Sequence, residues 1–145
     1  MLFIALLAAA AAATPSLLVE PVARPAAAVV DRFHHALKTG DGKGALALMA
    51  GDALIFESGH VEQNRAEYQA VHLDGDIEYS RGVTDVITAR SGHASGNFAW
   101  IASNGRTSGS FNGTPVDRAT TETMVLRRSG GKWRIVHIHW SSAAP

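Results

Sequence analysis

The chain has 145 residues, seven histidines and equal numbers of acidic and basic residues, so its formal net charge is zero. That balance excludes the basic field that nucleic acid or an anionic membrane surface would need. The length fits one domain, and the absence of cysteine excludes disulfides, thiolate metal sites and a cysteine nucleophile.

Residues 2–13 form an unbroken apolar run that ends in alanines, with small residues at Ala11 and Ala13. This is the pattern of a secretory signal peptide at residues 1–13, too short to span a bilayer. Its n-region carries no Lys or Arg. The expectation is a periplasmic or secreted protein with no stable membrane anchor after processing. Residues 14–25 read as a linker, because Pro15, Pro21 and Pro25 break a helix there. The folded domain is then residues 26–145.

Residues 26–38 show helical spacing, with Val29, Val30, Phe33, Ala36 and Leu37 on one stripe and Gly40 at the end. A turn at residues 41–44 leads to a short second helix at 45–49. Residues 53–58 read as a strand carrying Leu54, Ile55 and Phe56, and residues 59–63 as a loop. Asn64 and Glu67 have the spacing of a capping box for a third helix. Tyr68, His72 and Asp76 share a face if that helix continues through Gly75. From Val83 onward the period changes to two. Strands are expected at 83–90, 97–110, 114–128 and 132–142, with turns at Gly92, Asn112-Gly113 and Gly130-Gly131. Helices first and long hairpins last make an α+β layout: three helices on a curved antiparallel sheet.

The terminal strand contains Trp133-Arg134-Ile135-Val136-His137-Ile138-His139-Trp140-Ser141. Strict alternation puts His137 and His139 on one face, with Cβ atoms about 6.5–7 Å apart. Trp133, Ile135 and Ser141 share that face, and Arg134, Val136, Ile138 and Trp140 take the other. Paired imidazoles suit a polar pocket better than a plain core.

Three segments resemble the nuclear transport factor 2-like superfamily, and within it the SnoaL-like group. They are residues 55–59 with Glu67-Tyr68 and His72-Leu73, residues 111–128, and residues 131–141. The last is similar to the terminal strand of relatives of the calcium/calmodulin-dependent kinase association domain. The resemblance implies a ketosteroid-isomerase-like, cystatin-like cone with one pocket. It also implies that the histidine face of the last strand is the interior one, and Arg134 on the other face suits a wet surface. A fold of this kind does not fix a function.

The candidate catalytic residues are His137, His139 and Glu57. A histidine titrates near neutral pH and suits proton transfer, and an inward Glu57 would need an imidazole or a metal beside it. Glu57 at the strand mouth in water is the equal alternative. The candidate ligand-binding residues are Tyr68, His72 and Glu122. Tyr68 would also serve as core, and Glu122 would also serve as an outer cross-strand charge partner, its preferred placement. His34, His35, His60 and His93 are expected in exposed structural roles, with His60 near enough to the pocket to fold over it.

Three functions fit this pattern. The first is a small-molecule lyase, isomerase or hydrolase using His137 or His139. The second is a metal-binding protein, in which Glu57, His72, His137 and His139 would hold Zn²⁺, Cu²⁺ or Ni²⁺. The third is a non-catalytic ligand-binding or dimerisation module, with the face bearing Val136, Ile138 and Trp140 joining two copies in a homodimer. Whether the chain is a catalyst stays open at this point.

Overall fold

The computed structural model describes residues 16–145, so the signal-peptide reading of residues 1–13 lies outside the described residues. Ser16–Val19 forms β1, and a 3-10 turn at Pro21–Ala23 leads into α1, Arg24–Thr39. The expected linker thus carries an edge strand, and its prolines do not act as helix breakers here: Pro21 opens the 3-10 turn and Pro25 sits in the first turn of α1, where a missing N–H costs nothing, while Pro15 lies outside the described residues. Helix α1 buries Ala26, Val29, Val30, Phe33, Ala36 and Leu37, and Gly40 closes it at φ 79°, a left-handed conformation natural to glycine.

Helix α2 spans Gly42–Ala47, starting earlier than expected because the Asp41 side chain caps it through the Gly44 N–H. Strand β2 is Met49–Glu57. Ser58 and Gly59, both at positive φ, turn the chain into β3, His60–Glu62, where a loop was expected. Asn64 caps α3, Arg65–Val71, by accepting from the Glu67 N–H, while Glu67 reaches back to the Gln63 N–H. His72, still right-handed but stretched to φ −113°, is the junction at which α3 ends and α4, Leu73–Gly82, begins. There are thus four α-helices among the described residues, not three. The break is a tertiary effect: it buries Leu73 while His72 contacts Glu62.

The remaining strands are β4, Val83–Ser95; β5, Phe98–Phe111; β6, Thr114–Ser129; and β7, Lys132–Ala143. The seven-stranded sheet runs β1-β4-β5-β6-β7-β2-β3. The β4–β7 meander is antiparallel as expected, but β2 joins β7 and β1 joins β4 in parallel. Gly92 is not a turn. It lies inside β4, where a Cβ would come 2.6 Å from Ile101 Cδ1.

Strand β7 carries the irregularity that matters most. Leu126 pairs with Ile135, yet the next residue of β6, Val125, pairs with His137. Val136 is the extra residue of a bulge. The bulge shifts the alternation by one, so Ile135 and Ile138 are both fully buried. They pack with Phe33, Met49, Ile55, Ile101, Met124 and Leu126 between α1 and the sheet. Among the described residues no helix is long and apolar enough to cross a membrane.

Candidate functional site

The helices and the inner sheet face enclose a cavity of about 720 Å³. Its floor is one straight row of side chains across five strands. Arg90 of β4 pairs with Ser103 of β5, Ser103 with Glu122 of β6, Glu122 with Trp140 of β7, and Trp140 with Glu57 of β2. Residues that are register partners share a sheet face, so the row presents a cation, a hydroxyl, two carboxylates and an indole together. All five line the cavity.

Helix α1 closes the cavity from above with Asp31, His34 and Lys38, a polar stripe at i, i+3 and i+7 beside the apolar one. His34 Nε2 lies 2.7 Å from Glu122 Oε2, and Trp140 Nε1–H donates to the same oxygen at 2.8 Å. His34 Nδ1 has no hydrogen-bond partner among the described residues. The His34 side chain keeps 41% of its surface exposed, so the cavity walls desolvate the imidazole only in part, and that partial burial opposes its charge. Coulomb attraction and the hydrogen bond from Glu122 outweigh it, so the His34 pKa lies above the usual histidine value. For Glu122 burial works to raise the pKa, but His34, Trp140 and Arg90 together hold it below the usual carboxylate range. Arg90 Nη1 donates to Asp31 Oδ1 at 2.6 Å, and Arg90 Nε to Ser103 Oγ at 2.9 Å.

The other end of the cavity is acidic. Glu57, His60, His72 and Asp76 line it. His72 Nδ1 contacts Glu62 Oε1, and Glu62 keeps only 5% of its side chain exposed. Tyr68 is buried, and its hydroxyl donates to Asp76 Oδ2 at 2.7 Å. Burial chiefly pushes the Asp76 pKa up, to about 6, with Glu57 and Glu62 adding to it against Tyr68 and His72. Burial also raises the Glu57 pKa, with Glu62 adding, while His72 and His60 pull it back. Burial and the nearby Asp76 carboxylate raise that of Tyr68.

His137 and His139 are not part of this site. Beyond the bulge they point to the outer sheet face, where their rings stand 6.4 Å apart and 5.1 and 6.0 Å from the half-exposed ring of Phe56. His137 Nδ1 lies 2.9 Å from the Leu54 carbonyl oxygen. Their assignment as cavity-lining catalytic residues is corrected accordingly. The metal set Glu57, His72, His137 and His139 fails with it, because its members lie on opposite faces of the sheet. Among the described residues no three His, Asp or Glu side chains are grouped to hold a metal ion. The dimer face named from the sequence also changes, since Ile138 is core and Trp140 faces the cavity.

Glu57, His72 and Glu122 do line the cavity, Glu122 against its preferred outer placement. Tyr68 is core and acts on the site through Asp76. Sequence reasoning missed His34, Asp76 and Arg90. The polar stripe of α1 was the available signal for His34. His60 lines the cavity, while His93 sits within β4 and contacts Glu20 at 2.8 Å.

Residues 26–145 match the sequence profile of the SnoaL-like domain. Among solved structures, a candidate ketosteroid isomerase from Shewanella frigidimarina is 31% identical, with a TM-score of 0.79 over 86% of this chain and 99% of that one. A candidate calcium/calmodulin dependent protein kinase II association domain from Xanthomonas campestris is 23% identical, with a TM-score of 0.73 over 92% and 98%. A candidate dehydratase from Streptomyces avermitilis, of the nuclear transport factor 2-like family, is 17% identical, with a TM-score of 0.73 over 86% and 97%. No curated protein matches the chain.

Proposed function

Because this chain belongs to the SnoaL-like domain family, we propose that it is an acid–base catalyst of the isomerase or dehydratase kind. Its substrate is a small molecule held in the cavity, and His34 is the group that moves the proton. The observation that carries this reading is the His34–Glu122 pair inside the cavity, 2.7 Å across, with Trp140 fixing the carboxylate. The Shewanella and Streptomyces neighbours bear names of the same two reaction classes.

The chemistry follows from the two ring nitrogens. Glu122 stays ionised and fixes His34 with Nε2–H toward it, which leaves Nδ1 as the base. Neutral His34 takes a proton from carbon beside a carbonyl, and Glu122 stabilises the imidazolium that forms. The same proton then returns to a different carbon, or to a leaving hydroxyl. A raised pKa keeps His34 useful in both directions near neutral pH.

The test is solvent deuterium exchange into 2-tetralone, an enolisable aromatic ketone, followed by NMR. The wild type is expected to accelerate exchange and His34→Gln to lose about 100-fold or more of it. Equal exchange by the two proteins would refute the assignment.

The outer sheet face supports a homodimer as a second element of the reading. Phe98, Trp100 and Phe56 are exposed, at 54%, 41% and 36%. Trp100 pairs with Val125, Val125 with His137, and the His137 ring stands 5.1 Å from Phe56, which makes one patch of aromatic and aliphatic side chains. A second copy of the chain is its occupant in this proposal. Export to the periplasm or beyond remains part of the proposal and rests on residues 2–13 alone.

A further inference from the structure

Two fixed cations line the cavity, Lys38 and Arg90. Lys38 Nζ donates to the carbonyl oxygens of Ser80 and Val83. Arg90 keeps only 9% of its side chain exposed and is held on two sides, Nη1 by Asp31 and Nε by Ser103. Its Nη2 donates to nothing among the described residues. Unlike the unpartnered oxygens of Glu62 and Glu122, which are sealed from water, Nη2 stays open. Asp31 and Ser103 both line the cavity, as Arg90 does, so the guanidinium between them opens on it. A buried cation thus aims a free donor into the cavity.

Strand register sets this donor beside the base. Arg90 pairs with Ser103 and Ser103 with Glu122, so the guanidinium over Ser103 lies one strand spacing, ~5 Å, from the strand that carries Glu122. Above the sheet, Asp31 and His34 are one turn apart on α1. Two ion pairs therefore stand side by side, Asp31–Arg90 and His34–Glu122. With His34 neutral, these four side chains carry one positive and two negative charges. A permanently anionic ligand would add a third negative charge. An oxygen that is neutral at first, and turns negative only as His34 becomes an imidazolium, leaves the sum unchanged.

We propose that Arg90 Nη2 donates to the carbonyl oxygen of the substrate and holds the enolate oxygen that forms when His34 removes the neighbouring proton. This rests on reading His34 as the base. The C–H bond breaks and its proton goes to His34 Nδ1. Its electron pair forms the C=C bond, and the carbonyl π pair moves to the oxygen on Arg90. The reverse movement returns the proton to carbon. A donor fixed from two sides beforehand needs no reorganisation as the charge develops. The substrate class is a neutral ketone or aldehyde, with an apolar body along Val86, Ile87, Tyr79 and Phe111 of the cavity wall.

2-Naphthol, the aromatic counterpart of the 2-tetralone enol, tests this role without turnover, because its anion absorbs at longer wavelength than the neutral form. Its ionisation midpoint when bound is expected at least one pH unit lower on the wild type than on Arg90→Gln. In deuterium exchange into 2-tetralone, Arg90→Gln should lose about 100-fold in kcat, with a smaller change in KM. At pH 7.5 the wild type should bind 2-naphthoate more weakly than 2-naphthol. Asp31→Asn decides the matter if Arg90→Gln does not fold. It keeps an acceptor for Nη1 but removes the counter-charge, so the naphthol midpoint should fall below that of the wild type, and a midpoint that stays or rises overturns the proposal. So do midpoints that agree between wild type and Arg90→Gln, exchange by Arg90→Gln within three-fold of wild type, tighter binding of 2-naphthoate, or failure to bind 2-naphthol at millimolar concentration.

His34→Gln separates this proposal from the base on which it rests. Exchange that ignores His34→Gln, with a naphthol midpoint still set by Arg90, would sink the base alone. Exchange that needs His34, with a midpoint indifferent to Arg90→Gln, would sink the oxygen-holding role alone.

Discussion

Asp76→Asn tests the electrostatics of the acidic end. Asp76 on α4 is faced by Tyr68 on α3, Glu57 on β2, Glu62 on β3 and His72 at the helix break, and its pKa rises from 3.8 to about 6. An acid whose pKa is higher in the folded state binds protons more readily there than when unfolded. Its contribution to stability is therefore full below about pH 4 and is lost as pH rises through 6. The shift corresponds to about 3 kcal/mol of penalty for the ionised form at pH 7.5, and about 1 kcal/mol at pH 4.5. Asparagine carries no charge at either pH, and its amide oxygen still accepts from Tyr68. Asp76→Asn should thus gain about 2 kcal/mol relative to wild type between pH 4.5 and 7.5. Any pH-independent cost of the amide cancels in that difference. Urea unfolding of both proteins at the two pH values measures it. A stability difference that does not change with pH, or that moves against the variant at pH 7.5, would refute the reasoning.

Glu122→Gln should lower the His34 pKa, because burial then acts on the imidazolium without its counter-charge; NMR titration of the ring protons reads the direction, and an unmoved midpoint would contradict it. In the wild type the pair contributes most between the Glu122 range and the raised His34 pKa, and its contribution fades above the latter. Ile138→Ala should cost about 2–4 kcal/mol as a core deletion, whereas His139→Ala should stay within about 0.5 kcal/mol. Denaturant midpoints of the two variants would have to coincide, or reverse, for the bulge at Val136 to be misplaced. The double variant His137→Ala, His139→Ala should leave deuterium exchange within two-fold of wild type, since both rings sit outside the cavity. Trp100→Glu should convert a dimer to a monomer in light scattering, and a monomeric wild type at micromolar concentration would remove the dimer from the proposal.

Much of the frame is written locally. The stripe from Val29 to Leu37, the Asn64–Glu67 box and the Asn112-Gly113 and Gly130-Gly131 turns are short-range features, and each appears where its residues place it. Strand β1 and the parallel pairings of β1 with β4 and of β2 with β7 were not legible, because a parallel pairing joins segments far apart in sequence and leaves no turn signal. Glu57 and His72 could be nominated because a carboxylate after an apolar strand and a histidine on an amphipathic helix are visible in one dimension. Asp76 could be set on one face with Tyr68 and His72 by its spacing, but Glu62 could not be identified, because its contact with His72 depends on the short strand β3.

The amino-acid sequence by itself determined an α+β chain of SnoaL-like pattern, its helical and period-two regions, and the residue types able to move protons. Which histidines do so was decided in three dimensions. One extra residue in β7 reverses the phase of every side chain after it, because the strand period is two. That bulge turned His137 and His139 outward and set Trp140 beside Glu122. The imidazoles of the cavity come instead from His34 on α1, His72 at the end of α3 and His60 on β3, and only the packing of those elements together brings them to the carboxylates.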